Sequence, residues 1–417
     1  MPGASPTPPT RPKIAMVSTR ELDGQAMAGR LHVAHAIRAV LGENADLTSL
    51  VLPDVLTRPT LARLISTALA WLGALASGSA LPLQCALFAN GRDHRDLLDA
   101  IPGDVEAIYL DGVRSYAFLR KLRRARPDVH IVVDFDDLMS RRMALLLQTH
   151  QSLSPGYLTK RLPAFLQRLM VSPGVGGMVV RFERGALTAV ERRVADLADV
   201  IVLLSSEDAR VFAAQLTEPA RAAVEVIPPP GPKVGAITPL TMPTRFVFIG
   251  TDALTQNRLT IEYLTDLWRR RSIATPLVLV GLRASTAPLP PGVASTGYVD
   301  SIADIYDGHS VLLTPALIGG GVKTKVFEAF AHGSAVIGNA LTFEAMALDD
   351  YPLTIDDEAR LVELISHPEQ NRDLFLRAAS HGAAYLKRRH DPAEFAARWR
   401  AAMRLPPAPA TPVEAAS

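Results

Sequence analysis

Three consecutive glycines followed by two lysines give this chain its best candidate site for a phosphate group. The glycines are Gly319, Gly320 and Gly321, and they follow a short apolar run typical of a buried strand. Lys323 and Lys325 fall in or near the first turn of the helix predicted next. Glycines bring bare backbone N–H groups close to a ligand, whereas a lysine at a helix N-terminus costs roughly 0.3–1 kcal/mol. A bound phosphate group with two negative charges would reverse that penalty, because it would meet the N–H groups, the positive helix end and both ammonium groups.

Glu328 is the next candidate, on the same predicted helix. The spacing of Lys325, Glu328 and His332 places them on one face, opposite an apolar stripe. The carboxylate would then lie one turn beyond the anion, within reach of a pair of sugar hydroxyls attached to it. The alternative is a solvated face on which Lys325 and Glu328 form a surface ion pair worth a few tenths of a kcal/mol. The glycines and the two lysines at the unfavourable end of the dipole favour the phosphate site.

A cluster of aspartates at the end of the apolar segment HIVVDFD offers a second kind of chemistry. Asp134, Asp136 and Asp137 fall at the carboxyl end of the strand predicted there, the edge that faces the ligand crevice in parallel α/β sheets. Asp134 and Asp136 have the D-x-D spacing of some metal sites. Asp134 is also a candidate for a hydrogen bond to an acceptor substrate or for a base, and Asp137 for capping the next helix. We predict no metal, because the lysines can neutralise a diphosphate.

The composition is that of a globular protein large enough for two domains. The chain has 417 residues, of which 48% are hydrophobic. Its 44 basic and 42 acidic residues give a net charge of +2, which excludes a general polyanion-binding protein. The single cysteine, Cys85, excludes an internal disulfide, suits a reducing compartment and is predicted to lie in the core. No G-x-G-x-x-G segment follows the first strand, which disfavours a nicotinamide enzyme.

Apolar runs of strand type alternate with helical patterns along the chain. This rhythm predicts an α/β protein with two Rossmann-like domains. A proline-rich segment at residues 228–243 indicates a linker between them. The predicted organisation is a disordered tail at 1–12, a first domain at 13–230, a linker at 231–243, a second domain at 244–390, a last helix at 391–405 and a disordered tail at 406–417.

An uncharged stretch at residues 64–91 raises the question of contact with a membrane. Glycines and a proline interrupt it, so that the helix predicted at 61–76 would be about 24 Å long, shorter than the roughly 30 Å hydrocarbon layer of a bilayer. We predict a buried helix, with a helix lying on a membrane surface as the alternative.

Residues 138–193 form a basic segment, with nine basic side chains and two acidic ones. Each basic group near an anionic leaflet contributes about 1 kcal/mol, and the segment therefore predicts reversible attachment to an anionic membrane surface. Nucleic acid is the less favoured partner, because aromatic residues are few here and no nucleic-acid motif is present. The basic residues are Arg141, Arg142, Lys160, Arg161, Arg168, Arg181, Arg184, Arg192 and Arg193.

The segment GGGVKTKVFEAFAHGSAVIGN, residues 319–339, resembles the donor site of GT-B glycosyltransferases of group 1, the retaining enzymes that build bacterial polysaccharides and glycolipids. The resemblance implies that Gly320 and Gly321 face the donor diphosphate, that Lys323 or Lys325 contacts it, and that Glu328 binds the ribose. The family often carries a further glutamate eight positions earlier that holds the donor sugar. Gly320 stands at that position here, which leaves the contact with the sugar ring unassigned.

Weaker similarities to the same family extend along the chain. Gly24, in the loop after the first strand, corresponds to a glycine that faces the cleft, with an ordinary turn as the alternative. Arg258 would face the diphosphate from the first turn of a helix capped by Asn257, unless it is a surface arginine. Tyr298 and Val299 match the short loop whose backbone contacts the nucleotide base. In this architecture the last helix crosses back to the first domain.

The expected function is transfer of a hexosyl group from a UDP- or GDP-sugar to a lipid-linked saccharide acceptor. The first domain would bind the acceptor and the second the donor, at the cytoplasmic face of the membrane and without a cofactor. Asp134 and Lys325 are the expected catalytic residues, and the lysines and the glycine loop would stabilise the leaving diphosphate. Two alternatives remain: a nucleotide-sugar epimerase of the same fold, and a non-catalytic protein that binds a nucleotide sugar or a lipid.

Overall fold

Two parallel β-sheets, one in each half of the chain, form the framework of the protein in the computed structural model. The structure describes residues 11–22, 30–57, 59–148, 173–216, 220–233, 237–282, 288–348 and 350–407. Within these ranges every pair of neighbouring strands runs parallel. This architecture confirms the predicted α/β class with two Rossmann-like domains.

The first sheet has the strand order β2-β1-β3-β4-β5-β6. Its central strands read as continuous apolar runs because helices cover both faces of the sheet. The strands are β1 (Lys13–Ser18), β2 (Asp46–Val51), β3 (Ala107–Asp111), β4 (His130–Asp136), β5 (Val200–Leu203) and β6 (Ala223–Val226). The helices are α1 (Arg30–Asn44), α2 (Leu61–Ala76), α3 (Leu83–Ala86), α4 (Gly91–Ala100), α5 (Tyr116–Ala125), α6 (Met139–Gln148), α7 (Pro173–Ala195) and α8 (Ser206–Gln215).

The second sheet has the order β11-β10-β7-β8-β9 and packs its apolar strands against its own hydrophobic core. Its strands are β7 (Arg245–Ile249), β8 (Leu277–Val280), β9 (Val293–Gly297), β10 (Ser310–Leu313) and β11 (Val336–Ile337). The helices of this half are α9 (Thr255–Arg271), α10 (Thr324–Ala331), α11 (Ala340–Phe343), α12 (Glu358–Ser366) and α13 (Arg372–Arg389). The central segment predicted as strand, glycine turn, helix and strand is thus β10, the glycine turn, α10 and β11.

The last helix, α14 (Pro392–Ala402), belongs to the first half of the molecule. Trp399 is buried there, with its ring centroid 5.6 Å from that of Tyr109 on β3. His130 Nε2 lies 2.8 Å from the carbonyl oxygen of Ala402. The two passages of the chain between the halves meet, because the N–H of Gly231 donates to the carbonyl of His390 at 2.8 Å. The predicted crossing back is confirmed.

Helix α2 has the predicted limits but not the predicted environment. Among its side chains only that of Thr67 is fully buried, whereas its leucines and its isoleucine are exposed, so the buried-helix prediction is wrong. In the part of the chain that the structure describes, no helix is long and apolar enough to cross a bilayer. Cys85, in contrast, lies in the core of the first half as predicted.

Candidate active site

A cleft of about 1220 Å³ lies between the carboxyl ends of the two sheets. Residues 318–324, which include the glycine turn, line it from the second half. Asp111, Asp136 and Asp137 line it from the first half, at the ends of β3 and β4. Crevices outside the carboxyl ends of parallel strands are where α/β folds bind their ligands. The glycine turn, Lys323, Asp136 and Asp137, all singled out from the sequence, therefore face one cavity.

The glycine turn has a backbone that other residues rarely adopt. Gly320 has φ +99° and Gly321 has φ +68°, values that glycine takes without the steric penalty of a Cβ. A Cβ at Gly320 would lie 3.3 Å from Leu145, and one at Gly321 would lie 3.3 Å from Nη2 of Arg142. Helix α6 of the first half thus approaches the turn closely, and only glycine fits without displacing it.

The two lysines beside the turn are both desolvated. Lys323 Nζ donates to the carbonyl oxygens of Gly320 and Gly321 at 3.1 and 3.3 Å and so holds the turn in shape. Lys325 Nζ donates to Asn257 Oδ1 at 3.0 Å and lies 4.1 Å from the centroid of the Phe248 ring. No carboxylate of the described residues forms an ion pair with either ammonium group.

Burial has a marked effect on the protonation of both lysines. It lowers the pKa of Lys323 to about 8, against the opposing charge of Glu344. It lowers the pKa of Lys325 to about 7, and the nearby charge of Lys323 acts in the same direction. An anion in the cleft would favour the charged form of both groups. The pair is therefore suited to bind a ligand that brings its own negative charge.

Glu344 is a site residue that the sequence analysis did not identify. Its Oε1 accepts the N–H of Gly320, so this N–H of the turn is not bare as predicted. Its Oε2 accepts a hydrogen bond from Arg141 Nη2 at 2.9 Å, and Arg141 Nη1 donates to Asp208 at 3.1 Å. A chain of charge-assisted hydrogen bonds therefore crosses from the first half to the glycine turn. Its members are 24 to 203 positions apart in sequence, and no local pattern connects them.

Glu328 stands half-buried on α10, one turn from its beginning. The described residues give its carboxylate no hydrogen-bond or ion-pair partner, and the predicted alternative of a Lys325–Glu328 ion pair is not formed. Burial raises the pKa of Glu328. Tyr306 lies close enough for the charge of Glu328 to act on it, and its buried hydroxyl also has no hydrogen-bond partner among the described residues. Neither residue lines the cleft, but a ligand hydroxyl that reaches the half-buried Glu328 carboxylate would find an acceptor without a protein partner among the described residues.

Asp134 lies below the cleft rather than at its surface. It is fully buried, and its Oδ2 accepts hydrogen bonds from Arg30 Nη2 at 2.6 Å and from the hydroxyl of Tyr109 at 2.8 Å. Its Oδ1 accepts the N–H of Asp136 at 3.1 Å. Burial raises the pKa of Asp134, although the guanidinium of Arg30 opposes this. Both carboxylate oxygens of Asp134 accept hydrogen bonds from protein groups, and the side chain is not exposed to a substrate. Asp134 therefore holds Arg30 in position.

Of the three aspartates at the end of β4, Asp136 and Asp137 line the cleft. Asp136 has φ +66°, an unusual value for a residue with a side chain, and lies 3.3 Å from Nη1 of Arg30. Burial raises the pKa of Asp136, and the charge of Asp137 adds to this while Arg30 opposes it. Asp137 forms an ion pair with Arg142. Residues left-handed at a strand end are typical of functional sites, where surrounding contacts hold the strain.

The remaining predicted donor residues lie away from these groups. Arg258 is exposed and 3.9 Å from Glu262, as in the surface alternative. Tyr298 is exposed, and Val299 packs on the edge of the second core. Gly24 lies outside the described residues.

Two further findings concern the polar side chains of the second half and metal binding. Asn257 is not the helix cap that was predicted, since α9 begins before it. Its amide instead joins the carbonyl of Thr251 to the ammonium of Lys325. The described residues contain no group of three or more His, Cys, Asp or Glu side chains that could hold a metal ion.

Comparison with known proteins adds a family for the second half and a fold for the whole. Residues 243–367 match the family model described as Glycosyl transferases group 1. Sucrose-phosphate synthase from Thermosynechococcus elongatus is similar in structure, with a TM-score of 0.62 at 13% identity, over 94% of this chain and 98% of that one. Anabaena HepE in complex with UDP has a TM-score of 0.55 at 12% identity, over 93% of this chain and 98% of that one. OtsA has a TM-score of 0.54 at 12% identity, over 95% of this chain and 100% of that one. No curated protein sequence matches. Residues 243–367 are therefore a domain of the group 1 glycosyltransferases, and the two α/β domains together have the GT-B fold.

Proposed function

We propose that this protein is a retaining hexosyltransferase that uses a nucleoside diphosphate sugar, UDP- or GDP-linked, as donor. The observation that carries the proposal is the pair of buried lysines beside the glycine turn, without a carboxylate partner among the described residues, of which Lys323 lines the cleft between the two domains. A diphosphate supplies the two negative charges that this arrangement lacks. The fold is shared with HepE, whose solved complex contains UDP.

In this mechanism the donor diphosphate is the leaving group, and the second domain stabilises the charge that develops on it. Lys323 and Lys325 become fully protonated as that charge grows, because a neighbouring anion raises their pKa from about 8 and about 7. Glu328 accepts hydrogen bonds from the ribose hydroxyls. These fixed cations take the part that a metal ion has in other sugar transferases, and neither a metal nor a cofactor enters the proposal.

The acceptor side of the cleft is assigned to Asp136 rather than to the predicted Asp134. Both follow from the same strand end, but only Asp136 lines the cleft. Burial raises the pKa of Asp136 and the neighbouring Arg30 opposes this, so that Asp136 can exchange a proton more readily than an exposed aspartate. Asp136 would accept a hydrogen bond from the acceptor hydroxyl and orient it toward the sugar carbon.

A lipid-linked acceptor is supported by the apolar part of the cleft. Leu64 and Trp71 of α2, Met143 and Leu146 of α6, and Val179 of α7 line the cavity on the first-domain side. Apolar walls of this kind bind hydrocarbon, while a few polar groups fix orientation. We therefore propose a role in polysaccharide or glycolipid synthesis at the cytoplasmic face of a membrane, with the protein attached peripherally.

The basic segment contributes less to this attachment than its sequence suggests. Arg141 is held by Asp208 and Glu344, and Arg142 by Asp137. These two arginines are therefore not part of a free basic surface. Lys160, Arg161 and Arg168 lie outside the described residues.

The decisive experiment begins with thermal unfolding of the protein in the presence of a panel of UDP- and GDP-sugars. The proposal requires that one donor raises the melting temperature and that the protein then transfers its sugar to a lipid-linked saccharide. Nuclear magnetic resonance of the product would show whether the anomeric configuration is retained. Binding of no nucleotide sugar would refute the proposal.

One observation favours a second candidate, a non-catalytic nucleotide-sugar-binding protein. The carboxylate of Glu344 already accepts a hydrogen bond from the N–H of Gly320. Position 320 itself is a glycine, where the family often has the glutamate that holds the donor sugar. Stabilisation by a nucleotide sugar with no transfer to any acceptor would support this candidate. An epimerised sugar formed from the donor alone would instead identify the third alternative, an epimerase.

A further inference from the structure

Helix α2 presents an apolar surface to the outside of the protein. Its exposed side chains recur at the helical spacing i, i+4, i+8, i+11, and therefore form one continuous stripe. They are Leu61 (74% exposed), Ile65 (51%), Leu69 (64%) and Leu72 (54%). Large exposed apolar stripes are uncommon on monomeric proteins and mark interaction sites.

The next face of the same helix lines the cleft. Leu64, Ala68 and Trp71 belong to the cavity wall, and Leu64 and Ala68 are also exposed. The apolar half of the cleft is consequently open at α2, and its wall continues into the exposed stripe without a polar boundary. A ligand chain could pass from the outer apolar surface into the cleft without crossing water.

An aromatic contact and one exposed arginine lie beside this surface. Trp71 packs edge-to-face against Phe182 of α7, with ring centroids 6.1 Å apart. Met178 and Arg181, on the same side of α7 as Phe182, are exposed beside this contact. Helix α2 itself contains no carboxylate, and its one charged residue, Arg63, is paired with Asp93 at 2.5 Å.

We propose that α2, together with the exposed part of α7 around Met178 and Arg181, docks on an anionic phospholipid bilayer, so that the apolar half of the cleft opens toward the membrane. This inference rests on the proposed function, because a lipid-linked acceptor has its hydrocarbon chain in that bilayer. The stripe enters the boundary between headgroups and acyl chains, and Arg181 lies at headgroup level, as in other interfacial helices.

The chemistry of the surface favours a bilayer over a second copy of the chain. The exposed Arg181 flanks the apolar stripe, so a symmetric pairing of two such surfaces would bring the two Arg181 side chains toward each other. Anionic headgroups complement that charge. A basic group near an anionic leaflet strengthens the binding that the apolar stripe provides.

The test measures co-sedimentation of the full chain with vesicles of phosphatidylglycerol and phosphatidylethanolamine, and with vesicles of phosphatidylcholine alone. We expect binding to the anionic vesicles and at least tenfold weaker binding to the neutral ones. The variant Ile65→Gln/Leu69→Gln/Leu72→Gln should lose binding to the anionic vesicles by at least tenfold. The matched control is Leu341→Gln, an exposed leucine of the second domain, and it should bind as the unchanged protein does.

A spectroscopic variant shows whether the helix itself enters the lipid. The chain has three tryptophans, of which Trp268 and Trp399 are buried in the domain cores. Trp71 lies on α2 itself, so both variants are made in a Trp71→Phe background. Leu69→Trp should then fluoresce at shorter wavelength on vesicles and be quenched by brominated acyl chains, whereas Leu341→Trp should show neither change. Vesicle binding that the triple substitution leaves intact, or a wild-type dimer that it converts to monomers without any vesicle binding, would overturn the proposal.

Nucleotide binding separates this inference from the proposed function. All variants should retain the thermal stabilisation by the preferred nucleotide sugar, because none of the substituted residues belongs to the donor site. Retained stabilisation with no vesicle binding by the wild-type protein would refute the docking surface alone. Loss of stabilisation by every nucleotide sugar in the wild-type protein would refute the proposed function.

Discussion

Binding of a nucleoside diphosphate should be coupled to proton uptake by Lys325. The buried ammonium of the free protein has its pKa lowered to about 7, and an adjacent diphosphate raises that pKa again. Because the charged form is the one that binds, the contribution of Lys325 to affinity is complete below pH 7 and is lost as the pH rises through this value. We therefore predict that the affinity for a nucleoside diphosphate falls as the pH rises above about 7.

The magnitude follows from the protonated fraction of the free protein. With a pKa of about 7, Lys325 is half protonated at pH 7 and about one-hundredth protonated at pH 9. Affinity for UDP or GDP should therefore fall about fiftyfold between these values from this group alone. Lys323, with a pKa of about 8, adds up to a further tenfold. The terminal phosphate, whose second pKa is about 6, is fully ionised throughout this window.

The assay is isothermal titration calorimetry at pH 8 in two buffers that differ in ionisation enthalpy. The difference in observed heat gives the protons bound, and Lys325 should take up about 0.9 of a proton per nucleotide. Lys325→Met should remove that uptake and leave only the smaller pH dependence that Lys323 contributes. The matched control Lys387→Met, an exposed lysine near the end of α13, should change neither. Tight binding with the same heat in both buffers would refute the assignment of the diphosphate to this pair of lysines.

Three further substitutions test other parts of the site and of the first domain. Glu328→Ala should weaken nucleotide binding ten- to a hundredfold through loss of a charge-assisted hydrogen bond of about 1.5–3 kcal/mol, and calorimetry showing unchanged affinity would contradict the ribose assignment. Glu344→Gln removes a negative charge from the N–H of Gly320 and should tighten nucleotide binding by up to about tenfold; weaker binding would mean that the carboxylate positions the turn for its ligand. Glu191→Gln should stabilise the protein at pH 8 by about 1–3 kcal/mol in urea unfolding, but not at pH 4. Burial raises the pKa of Glu191 from 4.5 to about 7, so its penalty develops between these values as the pH rises. Equal stability of Glu191→Gln and wild-type protein at pH 8 would contradict this.

The strands and the glycine turn could be predicted because their signals are local. Buried parallel strands are apolar along their whole length, and β4 was predicted at its observed limits. Strand β2 was missed because it lies at the edge of the sheet with alternating partial exposure, and its segment DLTSLV carries no apolar run. Glycines in sequence before an apolar helix indicate a tight turn wherever they occur.

The polar connections of the site could not be predicted in the same way. Glu344 reaches the turn from α11, and Arg30 reaches Asp134 from α1, 104 positions earlier. Such meetings depend on the packing of whole elements rather than on spacing along the chain. Asp134 illustrates the same limit, since sequence places it at the right edge of the sheet but cannot distinguish a carboxylate facing the cleft from one bound beneath it.

Helix α2 shows a limit of another kind. An uncharged segment is compatible with the interior of a protein and with contact to lipid, because both surroundings are apolar. Only the exposure of its side chains distinguishes the two, and this depends on which neighbours the helix packs against. The limits of the helix were predictable because Thr60 caps its beginning and Gly78 follows its end.

The junction at Gly231 and His390 has a consequence for how the cleft can open. The chain passes between the domains twice, and the two passages are tied together by the Gly231 N–H bond and by His390 Nδ1, which lies 2.7 Å from the carbonyl oxygen of Pro229. Because the two connecting segments are joined at one point, the domains can rotate about that point more easily than they can slide past each other. We therefore expect hinge opening of the domains about this junction, with the largest displacement at the rim of the cleft farthest from it and little displacement of the residues beside it.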